Sequence, residues 1–389
     1  MPESAASKLE SMISSAANRT DTLINLWSRD PTIADHVVEW HIDPEQAGHF
    51  VDVPSDLHPA LVRYLSNSNV KQLYTHQYEA WQAVRAGQNI VVVTGTASGK
   101  TLCYNLPVLD QAIRDADCRA LYLFPTKALA QDQYQVLLSA ANSIQEHPGA
   151  SPIPVSVYDG DTPLSGRPSI RSKSRLVLTN PDMLHTGILP HHTRWAEFFR
   201  GLRYVIIDEI HVYRGVFGSH VANVIRRLKR VAAFYGAYPQ FILTSATIAN
   251  PGALASRLIE LPVNVIDQDG APHGKRYFLL YNPPIINPEL GLRSSATHES
   301  VRLTSDLLEL NIQTLLFCRA RRTVEMMLMY LQQSWGGNTE ALRSYRSGYL
   351  PNDRRAIERD LRQGTARAVV ATNALELGID IGSMDSVIL

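Results

Sequence analysis

The sequence predicts an α/β protein built on two parallel sheets flanked by helices, the second sheet unfinished. Three observations carry this. Short, wholly apolar runs alternate with longer amphipathic ones between residues 90 and 244, as buried parallel strands and their crossover helices require. A Pro-, Gly- and Asn-rich stretch interrupts the alternation from Asp267 to Ser295, and the pattern restarts after it. Polar clusters follow strand ends at Thr94–Thr101, Pro125–Lys127, Asp208–His211 and Ser245–Thr247, where open parallel sheets hold their ligands. The expected organisation is an acidic lead-in over 1–53, a first α/β domain over 54–266, a linker over 267–295 and a second, incomplete domain over 296–389.

At 389 residues the chain is too long for one ordinary core. Apolar residues make up 45% and charged ones 19%, the balance of a globular protein. Formal net charge is zero, so no global field draws the chain to nucleic acid or membrane. Locally, residues 1–70 hold four Lys/Arg against ten Asp/Glu, whereas residues 313–372 hold ten Arg against five acids. A polyanion therefore suits the later segment better. Cys103, Cys118 and Cys318 are far apart, match no zinc spacing and lie in apolar runs, as buried reduced thiols do. The N-terminus lacks a secretory pattern and no run of about 18 apolar residues occurs, so a cytoplasmic chain without a membrane span is expected.

The elements follow in order. Residues 1–53 read as a weakly helical lead-in and an irregular segment. Helices are expected over 56–65 and 75–86, the second closed by Gly87. Strand 90–93 opens the sheet. Strands 120–124, 155–158, 175–179, 203–207 and 241–244 continue it, with helices over 127–142 and 217–235. The second domain reads as helix 298–310, strand 313–318, helix 322–333, helix 351–362, strand 366–372 and a last strand from Asp385.

Two stretches carry the chemistry. NIVVVTGTASGKT places a buried strand, a small-residue loop and a helix start in the order of a phosphate cradle. Thr94, Gly95, Thr96, Ala97, Ser98, Gly99, Lys100 and Thr101 form it, with Lys100 reaching the β- and γ-phosphates and the Thr101 hydroxyl ligating Mg²⁺. Thr94 stands where the pattern G-x-x-x-x-G-K-[ST] has glycine. Asp208 and Glu209 follow strand RYVII, expected to neighbour the first strand; Asp208 holds the hydrated metal, while Glu209 orients the attacking water and takes its proton.

GTASGKT, DEIH, SAT and ATNALELGID, in this order, resemble the superfamily 2 helicases of the DEAD/DEAH-box group over about residues 70–389. The strings DEIHVYRGVFGSHVANVIRRLKR and YRSGYLPNDRRAIERDLRQG resemble the narrower mitomycin repair factor A and yeast RecQ4-like branch. The resemblance implies two tandem RecA-like P-loop domains, ATP and Mg²⁺ as cofactors, and a motor on single-stranded or partly duplex DNA, moving 3′→5′ and serving DNA repair. In such motors, ATP closes a cleft between the two sheets and hydrolysis reopens it. It implies adenine reading by Gln77, with Tyr74 or Tyr78 stacking on the base, and coupling by His211, Ser245 and Thr247. Thr126, Lys127, Thr179, Asn180, Arg346, Thr372 and Asn373 become nucleic-acid contacts, Gly378 and Asp380 nucleotide contacts, and Arg354 and Arg355 added positive charge. The family's arginine-finger motif and zinc domain are not within the sequence. The expectation is therefore a fragment that binds ATP·Mg²⁺ but hydrolyses it slowly, an arginine finger being worth about 10³–10⁵ in rate. An RNA helicase of the same superfamily, or a non-hydrolysing nucleic-acid scaffold, are the alternatives.

Overall fold

Strand β1 (Ile90–Val93) is buried along its whole length. Ile90 and Val92 enter one apolar core while Val91 and Val93 enter another, because successive strand residues face opposite sides of a sheet. Six further strands surround it: β2 (Arg119–Leu123), β3 (Val155–Val157), β4 (Leu176–Thr179), β5 (Leu202–Ile207), β6 (Gln240–Ser245) and β7 (Asn264–Ile266). They pair in the order β7-β1-β6-β5-β2-β4-β3, every pair parallel. The computed structural model describes residues 16–375 and 384–389, and this sheet forms a unit over Ala47–His273. The helices that position the site are α1 (Thr75–Arg85), α2 (Lys100–Arg114), α3 (Lys127–Gln145) and α4 (Gly215–Phe234).

The order corrects one expectation. β5, which carries Asp208, does not neighbour β1; β6 lies between them. Val93 is level with Ser245, and Ile207 with Leu243, so the end of β6 reaches both halves of the site.

A buried arginine ties the opposite end of this sheet. Arg175 is 5% exposed and donates to the carbonyls of Ala112, in the last turn of α2, and Asp115, just past it, and to that of Pro152 at 3.1 Å. A guanidinium suits that place, since helix C-terminal carbonyls carry partial negative charge.

The second unit joins the residues up to Gln46 with Gly274–Leu389. Its sheet has β8 (Thr314–Phe317), β9 (Leu342–Tyr345), β10 (Ala368–Ala371) and β11 (Ser386–Ile388), in the order β9-β10-β8-β11 and all parallel. Helices α5 (Ala296–Glu309) and α6 (Arg321–Ser334) place Val301, Leu308, Val324 and Leu331 in one core with Leu316 and Val370. Helix α7 (Pro351–Arg362) places Ile357 and Leu361 in the other, with Leu315 and Val369.

From Ala16 onward the lead-in is more ordered than its composition implies. Val37–Asp43 is a strand paired antiparallel with Arg276–Tyr281, a ribbon that neither partner's local sequence announces. Helix Ala16–Trp27 seats Leu23 against Leu307 and Ile312, and the Trp27 indole donates to Asp306 at 2.9 Å. Three strands, Arg276–Tyr281, Ile285–Asn287 and Leu292–Arg293, occupy the stretch read as linker. Cys103, Cys118 and Cys318 are buried and unbonded. Among the described residues no helix is long and apolar enough to cross a membrane.

Removing the Arg175 side chain would leave the buried carbonyls of Ala112 and Cys118 without this donor. Arg175→Ala is expected to lower stability by about 3 kcal/mol, read as a shift in the denaturant midpoint.

Candidate nucleotide and nucleic-acid site

The loop after β1 turns into α2 through two residues in left-handed conformation, Ala97 at φ +61° and Gly99 at φ +76°. Glycine is required at 99 on a second ground: a Cβ there would lie 2.6 Å from Gln77 Nε2. Inside the loop, Thr94 Oγ1 and Ser98 Oγ share a hydrogen at 2.5 Å, and Ser98 Oγ donates to the Gly95 carbonyl at 2.9 Å. The Thr94 departure from the glycine pattern thus has a use, since only a hydroxyl can make the cross-loop bond. Lys100 Nζ donates to the carbonyls of Thr94 at 3.0 Å and Gly95 at 2.7 Å, so the ammonium folds back over the loop. Thr96 and Ala97 form the exposed tip, and Thr101 is half-buried at the start of α2.

Gln77 is nearly buried and tied at both ends. Its Oε1 accepts from Tyr74 N–H at 3.0 Å and its Nε2 donates to the Gly99 carbonyl at 3.1 Å. The geometry separates the two tyrosines. Tyr74 stands beside Gly99 and stacks on His76, whereas Tyr78 packs on Trp81 and accepts from Gln82.

Asp208 closes β5, its N–H donating to the Leu123 carbonyl at 3.0 Å. It is 7% exposed and accepts from Glu209 N–H at 2.9 Å and from the Thr244 hydroxyl. Burial first, then the neighbouring Glu209 charge, pushes its carboxyl up to about 6, while Thr244 and the Lys100 charge pull the other way. Glu209 adopts φ +54°, and its buried Oε2 has no hydrogen-bond donor among the described residues. His211 Nδ1 lies 3.2 Å from that oxygen and also accepts from Ala246 N–H at 3.3 Å. One nitrogen cannot accept and donate at once, so with this backbone bond in place His211 offers Glu209 no proton. Tyr104 is buried next to Thr101. Its hydroxyl lies 3.5 Å from Thr101 Oγ1, and burial, then the Asp208 charge, holds its pKa far above the usual phenol value.

Ser245 is fully buried, its hydroxyl without a partner among the described residues, and Thr247 is exposed beyond it. Thr126 caps α3 by accepting from Leu129 N–H at 3.2 Å, and Lys127 pairs with Asp161 at 2.8 Å. The Thr179 hydroxyl is buried and donates to the Tyr158 carbonyl at 2.6 Å, which commits its only hydrogen. Asn180 caps the next helical turn through Met183 N–H. In the second unit, Thr372 is buried just past β10 and Asn373 is exposed beside it. Arg346 donates to Glu325 at 2.7 Å and stacks over Tyr349, so much of its charge is already matched. Gly378 and Asp380 lie outside the described residues.

Sequence reasoning missed three participants. Thr244 could have been noticed as a hydroxyl inside an otherwise apolar strand. His76 sits beside Gln77 but offers no pattern of its own, and Asp269 lies in a loop that reads as punctuation.

The raised Asp208 pKa fixes a pH dependence. A carboxyl whose pKa rises on folding contributes stability below the unfolded value near 3.8, and that contribution is lost as pH rises through about 6. Without nucleotide or divalent cation, Asp208→Asn should therefore stabilise the chain at pH 7.5, by at most about 3 kcal/mol. The advantage should fade toward pH 4 in thermal melts.

The DEAD/DEAH box helicase family matches residues 74–254, and the helicase conserved C-terminal domain matches residues 299–389. The chain is 51% identical over 353 residues to the uncharacterized ATP-dependent helicase YprA of Bacillus subtilis, covering 90% of this chain and 46% of that protein. It is 37% identical over 354 residues to the ATP-dependent helicase HRQ1 of Saccharomyces cerevisiae, covering 89% of this chain and 32% of that protein. Among solved structures, the DUF1998 helicase MrfA bound to DNA and AMPPNP matches with a TM-score of 0.87 and 48% identity, over 94% of this chain and 50% of that one. The chain thus spans half or less of the length of these relatives. With both helicase families matched in tandem over parallel RecA-like sheets, the chain belongs to the DEAD/DEAH-box helicases of superfamily 2, and among them it is similar to MrfA and HRQ1.

Proposed function

We propose that the chain is the motor core of an ATP-dependent DNA helicase, coupling ATP hydrolysis to movement along one strand. The observation that carries this reading is the strand order: β6 joins the phosphate loop to Asp208 and Glu209, with Thr244 bonded to Asp208 and Ser245 level with Val93. The DNA-bound, AMPPNP-bound MrfA relative supports both ligands.

The residues fit a divalent cation. A buried carboxylate at Asp208 and a half-buried hydroxyl at Thr101 supply the hard oxygen donors that Mg²⁺ takes. When bound, such an ion neutralises charge on the β- and γ-phosphate oxygens. The protein's own groups do the rest. Lys100 exchanges its two carbonyl partners for phosphate oxygens. Glu209 presents an oxygen that no donor among the described residues satisfies, suited to orienting a water and accepting its proton. Gln77, already placed against Gly99, offers an amide for adenine.

Phosphate donors at Asn180, Thr126 and Lys127, and in the second unit at Thr372 and Asn373, would track a backbone without reading bases. The 3′→5′ direction and a role in DNA repair are carried from the family resemblance, and tailed-duplex unwinding tests the direction.

Lys100→Ala should abolish AMPPNP binding, and Glu209→Gln should keep binding while lowering strand-stimulated hydrolysis by about 10²-fold or more. Single-stranded DNA should stimulate more than RNA of the same sequence. Equal or greater stimulation by RNA would favour an RNA helicase, since 2′-hydroxyl contacts distinguish the polymers. Unchanged turnover in Lys100→Ala would overturn the reading.

A further inference from the structure

The phosphate loop is held from behind by residues outside the P-loop pattern. Asp269 accepts from Gly95 N–H through one carboxylate oxygen at 2.9 Å and from Ala271 N–H through the other at 2.9 Å. The next residue, Gly270, is pressed against the start of α1: a Cβ there would lie 2.2 Å from Thr75 Oγ1 and 2.9 Å from Thr75 N. Its carbonyl accepts from His49 N–H at 2.8 Å, and His49 in turn accepts from Thr75 N–H at 3.1 Å. The turn at 269–271 is thereby fixed on a rigid helix start.

His76 makes the second tie. Its ring is fully buried. Nδ1 accepts from Gly270 N–H at 3.1 Å and Nε2 lies 3.0 Å from the Ser98 carbonyl. A carbonyl can only accept, so the ring is neutral with its hydrogen on Nε2, donating to Ser98. Burial favours that neutral form, against the pull of Asp269, whose nearer oxygen is 3.8 Å away.

We infer that Asp269 and His76 are positioning residues for nucleotide binding, bracing both ends of the 95–98 loop segment against the 269–271 turn. This rests on the ATP-binding reading above. The physical reason is preorganisation. A loop built from small residues, two of them in left-handed conformation, has many accessible shapes without its ligand. Each tie removes some of them before nucleotide arrives, so the bound state has less ordering left to supply. Asp269 acts on the first amide of the loop and His76 on the carbonyl before Gly99. Neither needs to touch a phosphate.

The test uses the full chain with AMPPNP as the binding probe and ATP for turnover. Asp269→Ala should weaken AMPPNP binding and raise KM for ATP by about tenfold, the loss of a charge-assisted bond, with kcat changed by less than about twofold. Asp269→Asn keeps an acceptor for one amide and should recover part of the affinity. His76→Phe, which preserves the aromatic volume and removes both bonds, should give a similar rise in KM. Hydrogen exchange without nucleotide gives a reading independent of activity: in Asp269→Ala the Gly95 amide should exchange faster while the Val91–Val93 amides keep their protection. Wild-type affinity together with an unchanged Gly95 exchange rate in Asp269→Ala would overturn the inference. So would loss of protection throughout β1 in both Asp269 variants, which would mean general destabilisation. Failure of the wild-type chain to bind AMPPNP would overturn the ATP-binding reading instead.

Discussion

A helix that must begin one short loop past the end of a buried strand sets the terms for the whole first unit. β1 has no exposed residue, so its position is dictated by the two cores it separates, and the loop that follows inherits that rigidity. The loop itself is poorly self-determined, being short and small. What gives it one shape is a set of bonds from elsewhere: Lys100 and Ser98 from within, Gln77 and His76 from α1, and Asp269 from the return after β7. An anion site of backbone N–H groups works only if those groups already point one way.

The acidic half follows a different logic. Asp208 is placed by the ladder at the end of β5 and sits where its charge is disfavoured, next to a second carboxylate and away from water. A buried charge without a full partner costs stability, and proteins tolerate it where a ligand is to supply the missing charge. Thr244 and Lys100 offset part of that cost, and the unsatisfied Glu209 oxygen leaves another part in place.

The sequence disclosed those features that rest on periodicity and on dense local patterns. Strands 90–93 and 203–207 and helix 351–362 are legible because burial on two faces forces continuous apolar runs and because Pro351 suits a helix start. Strand order was not legible. Nothing local distinguishes a β5 beside β1 from one separated by β6, since every crossover is long enough for either. Leu342–Tyr345 was missed because LRSY lacks an apolar run, though three of its four residues are buried. The ribbon of Val37–Asp43 with Arg276–Tyr281 escaped for a related reason: its faces are largely exposed and its pairing is remote. At the site, Lys100, Asp208 and Glu209 stand in recognisable strings, whereas Asp269 acts through a single carboxylate in a turn whose composition matches hundreds of ordinary turns.

That remote ribbon also orders events during synthesis. A chain emerging from its N-terminus delivers Val37–Asp43 long before its partner at Arg276–Tyr281 exists, and the whole of Ala47–His273 emerges in the interval. The first unit can complete its own sheet meanwhile, because all of its strands lie inside that interval. The early strand must wait with its edge unpaired, and Val38 and Ile42 stay exposed even after it pairs. Glu39 and Asp43, interspersed along that strand, keep it charged while it waits. The strand from the lead-in, featureless as composition, is thus completed only once residues 276–281 have been made.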